Sequence, residues 1–267
     1  MIPVVVGSNP IGHPTISRGA GQPPRVAFGS IARDAVTRIS ASARGMLSSQ
    51  DPEYLHQLRV SMRRLRAVLR AFRGVLPGSK RRRLIRALRK LSPVLGAARD
   101  WDVLLARTHV DARAHARARR AREAAVAAVK SKEFDRVLEM ARALEADQDS
   151  EPVKDFAARA LERAHRKVMK RAKSVDWSHA AHRHAVRIRV KRLRYTCELF
   201  AAAFPGSAAR SYISALKALQ GVLGALNDLA VARRLVGAQA DEAPLLRKLD
   251  VAWTRFARRR AFWRARG

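Results

Sequence analysis

Apolar residues recur along most of this chain at spacings of three and four, the period of one buried face of an α-helix. No segment alternates polar and apolar residues over five or more positions with β-branched enrichment, so no strand is predicted. From Leu55 the stripe runs Leu58, Met62, Leu65, Leu69, Phe72 and Leu76. One residue further on, His56, Arg59, Arg63, Arg66, Arg70 and Arg73 take the same steps, which places a second row about 100° around the same helix. A core face and a basic rail therefore share one element. Asp51-Pro52-Glu53 opens it with an N-cap, a proline at the first helical position and an acid in the first turn.

The same periodicity predicts a first helix from Arg25 to Leu47 and the rail helix as far as Pro77-Gly78. A third helix, capped by Ser79, runs to Leu91; Pro93 and Gly96 break or kink it before Ala97 to Arg107. Residues 108–149, rich in Ala, Arg and Glu, read as one or two solvated helices interrupted near Ser131. Ser150-Glu151-Pro152 starts a second series, with helices over Val153 to about Lys173, about Ser178 to Phe204, Ser207 to Leu223, Gly224 to about Val236, and about Pro244 to Arg264. Residues 1–24 carry Pro3, Pro10, Pro14, Pro23 and Pro24 without periodicity and read as a flexible tail.

The second series repeats the first. A shift of 128 residues puts His184, Arg187, Lys191, Arg192, Leu193, Arg194 and Phe200 on His56, Arg59, Arg63, Arg64, Leu65, Arg66 and Phe72. The match continues without a gap through Pro205-Gly206-Ser207 on Pro77-Gly78-Ser79, Arg210 on Arg82, Lys217 on Arg89, Gly224 on Gly96 and Asp228 on Asp100. About two positions in five are identical, which marks an internal duplication. The expected fold is all-α, with two pseudo-symmetric helical bundles, about 25–149 and about 150–267, whose rails face one central basic groove.

HQLRVSMRRLR with LGAARDWDVL, and HAVRIRVKRLRY with LGALNDLAV, resemble the CHAD domain, the conserved histidine α-helical domain, over roughly residues 26 to 265. The resemblance implies two helical bundles around a basic groove, binding of inorganic polyphosphate, and association with polyphosphate granules. Position by position it points to His56, Arg59, Arg63 and Arg66, and to His184, Arg187, Lys191 and Arg194. Arg82, Arg89, Arg210 and Lys217 join them as matched cations of the following helices. One departure shortens the second rail by a turn: Glu198 stands where the repeat calls for the counterpart of Arg70.

Charge sharpens the choice of partner. The formal net charge is +33, far beyond what solubility requires, and no Asp or Glu occurs between Glu53 and Asp100. A rail of like charges loses about 0.2–0.5 kcal/mol per i,i+4 pair, so its counter-charge is expected from elsewhere in the fold or from a polyanion. Arginine suits phosphate because its planar fork donates two parallel hydrogen bonds and stays charged. Asp100 and Asp228 are expected to pair with rail arginines.

Nothing in the sequence calls for turnover. It has no glycine-rich phosphate loop, no carboxylates at metal spacing, and no Glu-x-Glu-x-Lys signature of the triphosphate-tunnel enzymes. The expected role is non-catalytic, with no cofactor and no metal, since His179, His182 and His184 have only Asp176 nearby. Two rival readings share the electrostatics: non-specific nucleic-acid binding, set against an aromatic content of only 6%, and a scaffold for an acidic partner protein. The terminal run from Trp253 to Arg264 reads as core packing with a basic face. Cys197 falls in the core stripe as a small buried hydrophobe. No stretch reaches 18 uncharged apolar residues and the opening MIPVVVGSNP lacks a basic n-region, so the expected location is cytoplasmic.

Overall fold

The computed structural model describes residues 23–106, 109–146, 151–204, 206–237, 239 and 241–264. The tail reading for residues 1–22, the helix end at Arg107 and the cap at Ser150 lie outside them. Among the described residues the protein is all-α, with nine α-helices and two short 3-10 turns. The helices are α1 (Pro24–Ser48), α2 (Pro52–Ala71), α3 (Gly78–Leu105), α4 (Ala112–Val129), α5 (Lys132–Arg142), α6 (Val153–Lys173), α7 (Ala180–Phe200), α8 (Ser207–Val236) and α9 (Ala243–Ala257).

The rail helix α2 begins as its sequence dictates: Asp51 Oδ1 accepts the Glu53 N–H at 2.8 Å and Pro52 occupies the first turn. Ser131 likewise caps α5, accepting the Phe134 N–H at 3.3 Å. Other boundaries differ. Ser79 caps nothing, because α3 already starts at Gly78 with Pro77 before it. Pro93 does not divide α3 and Gly224 does not divide α8. A mid-helix proline costs about 3 kcal/mol and a glycine about 1. Leu88, Leu91, Leu95 and Ala98 are buried on both sides of Pro93, as are Leu219, Leu223 and Leu226 around Gly224, so tertiary packing outweighs the local cost. Helix α5 is less solvated than its composition suggests, burying Phe134, Val137 and Ala141. Helix α7 stops at Phe200 and tightens into the turn Ala201–Ala203. Helix α9 stops at Ala257, and the turn Phe262–Arg264 folds back so that Trp263 Nε1 donates to Glu162 Oε2 of α6 at 3.0 Å.

Helix α2 packs on α1 and α3, α7 packs on α6 and α8, and α2 and α7 pack on each other. Helices α6, α7 and α8 each start within one residue of the position 128 beyond the starts of α1, α2 and α3. The two sets meet in four phenylalanines: the ring of Phe72 lies 5.5, 5.3 and 5.6 Å from those of Phe28, Phe156 and Phe200. These rings are fully buried and belong to one core that runs through both sets. With the apolar stripes of α2 and α7 committed to that core, the rails one residue further round are turned toward a shared space. Cys197 is fully buried in the α7 stripe, and burial pushes its thiol pKa well up.

Candidate polyanion-binding site

A cavity of about 740 Å³ lies between α2, α3, α7 and α8. From α2 it receives His56, Arg59, Arg63, Arg66 and Arg70; from α7, Arg183, His184, Arg187, Lys191, Arg192 and Tyr195. Helix α3 adds Arg89, Arg99 and Asp100, and helix α8 adds Asn227, Asp228 and Arg234. Ten arginines and one lysine thus face two aspartates. Leu223, Leu226, Val103 and Ile188 form part of the wall, which lowers the local dielectric and strengthens every charge interaction inside.

The guanidinium groups are held by acceptors that leave their charge uncompensated. Arg59 donates to the Ser92 carbonyl at 3.5 Å, and Arg66 donates to Ser92 Oγ at 2.9 Å. Ser92 Oγ in turn donates to the Leu88 carbonyl at 2.7 Å. Arg70 donates to the Arg66 carbonyl at 3.0 Å. Arg63 reaches across to Tyr195 Oη at 3.3 Å, linking the two rails. On the α7 side, Asn227 Oδ1 accepts from His184 Nδ1 at 2.9 Å and from Arg187 at 3.2 Å. Gly96 matters for this geometry, because a Cβ there would stand 2.9 Å from an Arg59 Nη1.

Burial and mutual repulsion depress the basicity of the whole cluster. Desolvation first, then neighbouring guanidiniums, lower Arg59 and Arg66 to about 10 and Arg70 to about 9. They remain charged at neutral pH. Lys191 does not: desolvation, with Arg63, Arg187, Arg59 and Arg194 around it, brings its ammonium down to about 6. His56 is lowered by desolvation and then by Arg99. Desolvation raises Asp100 against the pull of Arg59, Arg234 and Arg187. The hydrogen-bonded ion pair of Asp100 is with Arg234 of α8, at 3.2 Å, rather than with a rail arginine.

A CHAD domain profile matches residues 30–237. The chain belongs to the CHAD domain family. The crystal structure of the CHAD domain from the plant Ricinus communis is similar at 31% identity, covering 91% of this chain and 90% of that one with a TM-score of 0.68. PptA from Streptomyces chartreusis shares the fold at 17% identity, with 91% and 100% covered and a TM-score of 0.60. No curated protein matches.

Of the twelve positions singled out in the sequence of this CHAD domain, the cavity collects His56, Arg59, Arg63, Arg66, Arg89, His184, Arg187 and Lys191. The other four lie outside its lining. Arg194 forms an ion pair with Glu198, donates to Gln220 Oε1 at 2.8 Å and covers the Tyr195 ring at 4.6 Å. The departure at Glu198 therefore turns Arg194 away as well as shortening the rail. Arg82 folds back over Gly78, while Arg210 and Lys217 are exposed on α8. Arg99, Arg183, Arg192, Asn227 and Arg234 were not singled out, although Arg99, Arg192 and Asn227 stand within the quoted motifs LGAARDWDVL, HAVRIRVKRLRY and LGALNDLAV. Arg183 is buried and spends its charge on Glu242. Among the described residues no group of three or more His, Cys, Asp or Glu is placed to hold a metal ion. No described helix is long and apolar enough to cross a membrane.

Proposed function

We propose that this CHAD domain binds inorganic polyphosphate, without hydrolysing it, in the cavity between α2 and α7. One observation carries the reading: α2 and α7, with α3 and α8 beside them, place eleven Lys and Arg side chains around one space with only two aspartates, and burial among these cations takes the proton from Lys191. A multiply charged, phosphate-bearing chain supplies the missing charge along a track rather than at a point. Bidentate guanidinium–phosphate pairing makes each contact worth about 1.5–3 kcal/mol. Membership of the CHAD family supports the same ligand, and granule association follows from it.

A binding role also fits the chemistry of the lining. Its carboxylates, Asp100 and Asp228, sit among cations, and Asp100 is engaged by Arg234. Purified protein incubated with long-chain polyphosphate and Mg²⁺ is expected to bind the polymer and release no orthophosphate. Orthophosphate release that follows the protein through purification refutes the non-catalytic part of the proposal, and loss of binding in Arg59→Ala/Arg187→Ala tests its location.

A further inference from the structure

At the C-terminal end of α2 the central cavity adjoins a second basic space. Arg70 and Arg192, which line it, also line a narrow space of about 70 Å³ together with Arg73, Arg163 and Lys167. Arg73, Arg163 and Lys167 in turn line an open depression of about 680 Å³ along α6, which continues to Lys170. The three spaces share side chains at each junction and so adjoin along one basic face. The charges acting most strongly on Arg70, Arg192, Arg163 and Lys167 are all cations, whereas Asp100 and Asp228 moderate the central cavity.

This face is not a by-product of the repeat. At the positions 128 residues before Arg163, Lys167 and Lys170 stand Ala35, Ile39 and Ser42 of α1, all buried. Where α1 buries these positions, this face of α6 carries exposed or half-exposed cations. Glu162, the acid on this stretch of α6, accepts hydrogen bonds from Trp263 and Arg264, at 3.0 and 2.8 Å, and pairs with Arg166 at 3.9 Å, so it engages Arg264 and Arg166 of this face rather than Arg163, Lys167 or Lys170.

We infer that the α6 face is a second binding segment, continuous with the central cavity through the Arg70–Arg192 neck, which holds the part of a polyphosphate chain that extends beyond it. The inference rests on the polyphosphate reading of the central cavity and adds a chain-length dependence to it. The neck is small, about 70 Å³, which favours an unsubstituted phosphate chain over one that carries a sugar and base on every link.

The test compares a short and a long polyphosphate, tripolyphosphate and a chain of about a hundred phosphates, on full-length protein at about 0.15 M salt, where exposed charges are screened beyond roughly 8 Å. The variant is Arg163→Ala/Lys167→Ala/Lys170→Ala; Arg113→Ala/Arg117→Ala/Arg120→Ala on exposed positions of α4 is the charge-matched control. Both replace helical residues by alanine, the best helix former, so folding is preserved in each. The α6 variant is expected to lose at least about tenfold in long-chain affinity, equivalent to about 1.4 kcal/mol, and to keep tripolyphosphate affinity within about twofold. A long-chain loss no greater than the control overturns the inference, as does an equal loss for both chain lengths. Single-stranded DNA of matched charge that competes equally for the α6 face overturns it too. Failure of the wild-type protein to bind tripolyphosphate or long chains refutes the central-cavity reading itself, an outcome distinct from the other three.

Discussion

Burial in the cavity, with four arginines around it, makes the proton of Lys191 measurable. Its ammonium sits at about 6 in the free protein against an ordinary 10.5, so at pH 8 only about one molecule in a hundred carries the charge. A phosphate chain beside it reverses the repulsion and restores the proton. Binding therefore takes up close to one proton per cavity at pH 8. Affinity is expected to fall as pH rises, by up to about tenfold per pH unit, equivalent to about 1.4 kcal/mol. From pH 7 to 8.5 that amounts to about thirtyfold. Calorimetric titrations in two buffers of different ionisation enthalpy count the protons directly. Lys191→Arg keeps its charge through this window, so its affinity should be nearly independent of pH and exceed that of wild type at pH 8.5. The polymer's own terminal protons and the histidines are common to both proteins and cancel in the difference. Equal proton uptake and equal pH slopes in wild type and Lys191→Arg would falsify the assignment.

The same shift works in the opposite direction on the free fold. Between about 6 and 10.5 the unfolded chain binds a proton at Lys191 that the native state does not, so stability without ligand rises with pH across that window, and denaturant melts of wild type and Lys191→Met should diverge there. Arg59→Ala/Arg63→Ala is expected to lose at least about tenfold in polyphosphate affinity, and Arg82→Ala/Arg83→Ala, exposed and outside the cavity, much less at equal charge change; equal losses leave only a diffuse basic surface. Gly96→Ala pushes the flexible end of Arg59 aside and should weaken binding severalfold with little change in the unfolding midpoint. Arg194→Ala should leave affinity nearly unchanged and cost about 1–3 kcal/mol of stability, because it strips the buried Glu198 of an ion-pair partner. Phe72→Ala, at the junction of four rings, should cost about 3–5 kcal/mol in chemical denaturation.

The sequence by itself determined the helical class and the two rails. A stripe at spacings of three and four can bury only as a helix face, and the residue beside each stripe position must then flank that face. With the 128-residue offset and the family resemblance, His56, Arg59, Arg63, Arg66, His184, Arg187 and Lys191 could be expected in one groove, and Phe28 and Phe156, like Phe72 and Phe200, at matched positions. Local signals were weaker where packing could override them: Pro93 and Gly224 read as helix breaks, yet buried leucines on either side keep α3 and α8 whole.

Only the tertiary structure decided which cations face the cavity. Periodicity gives an angle around one helix, whereas a long arginine side chain goes where its partners are. Glu198 and Gln220 draw Arg194 out of the rail, Asn227 fixes Arg187 and His184, and Arg234 crosses from α8 to take Asp100 from the rail arginines. Arg99, Arg192 and Arg183 enter from positions that belong to neither stripe. The depressed basicity of Lys191 is likewise a property of assembly, since it comes from desolvation and from Arg63, Arg187, Arg59 and Arg194 converging on one ammonium, two of them from a helix more than a hundred residues away.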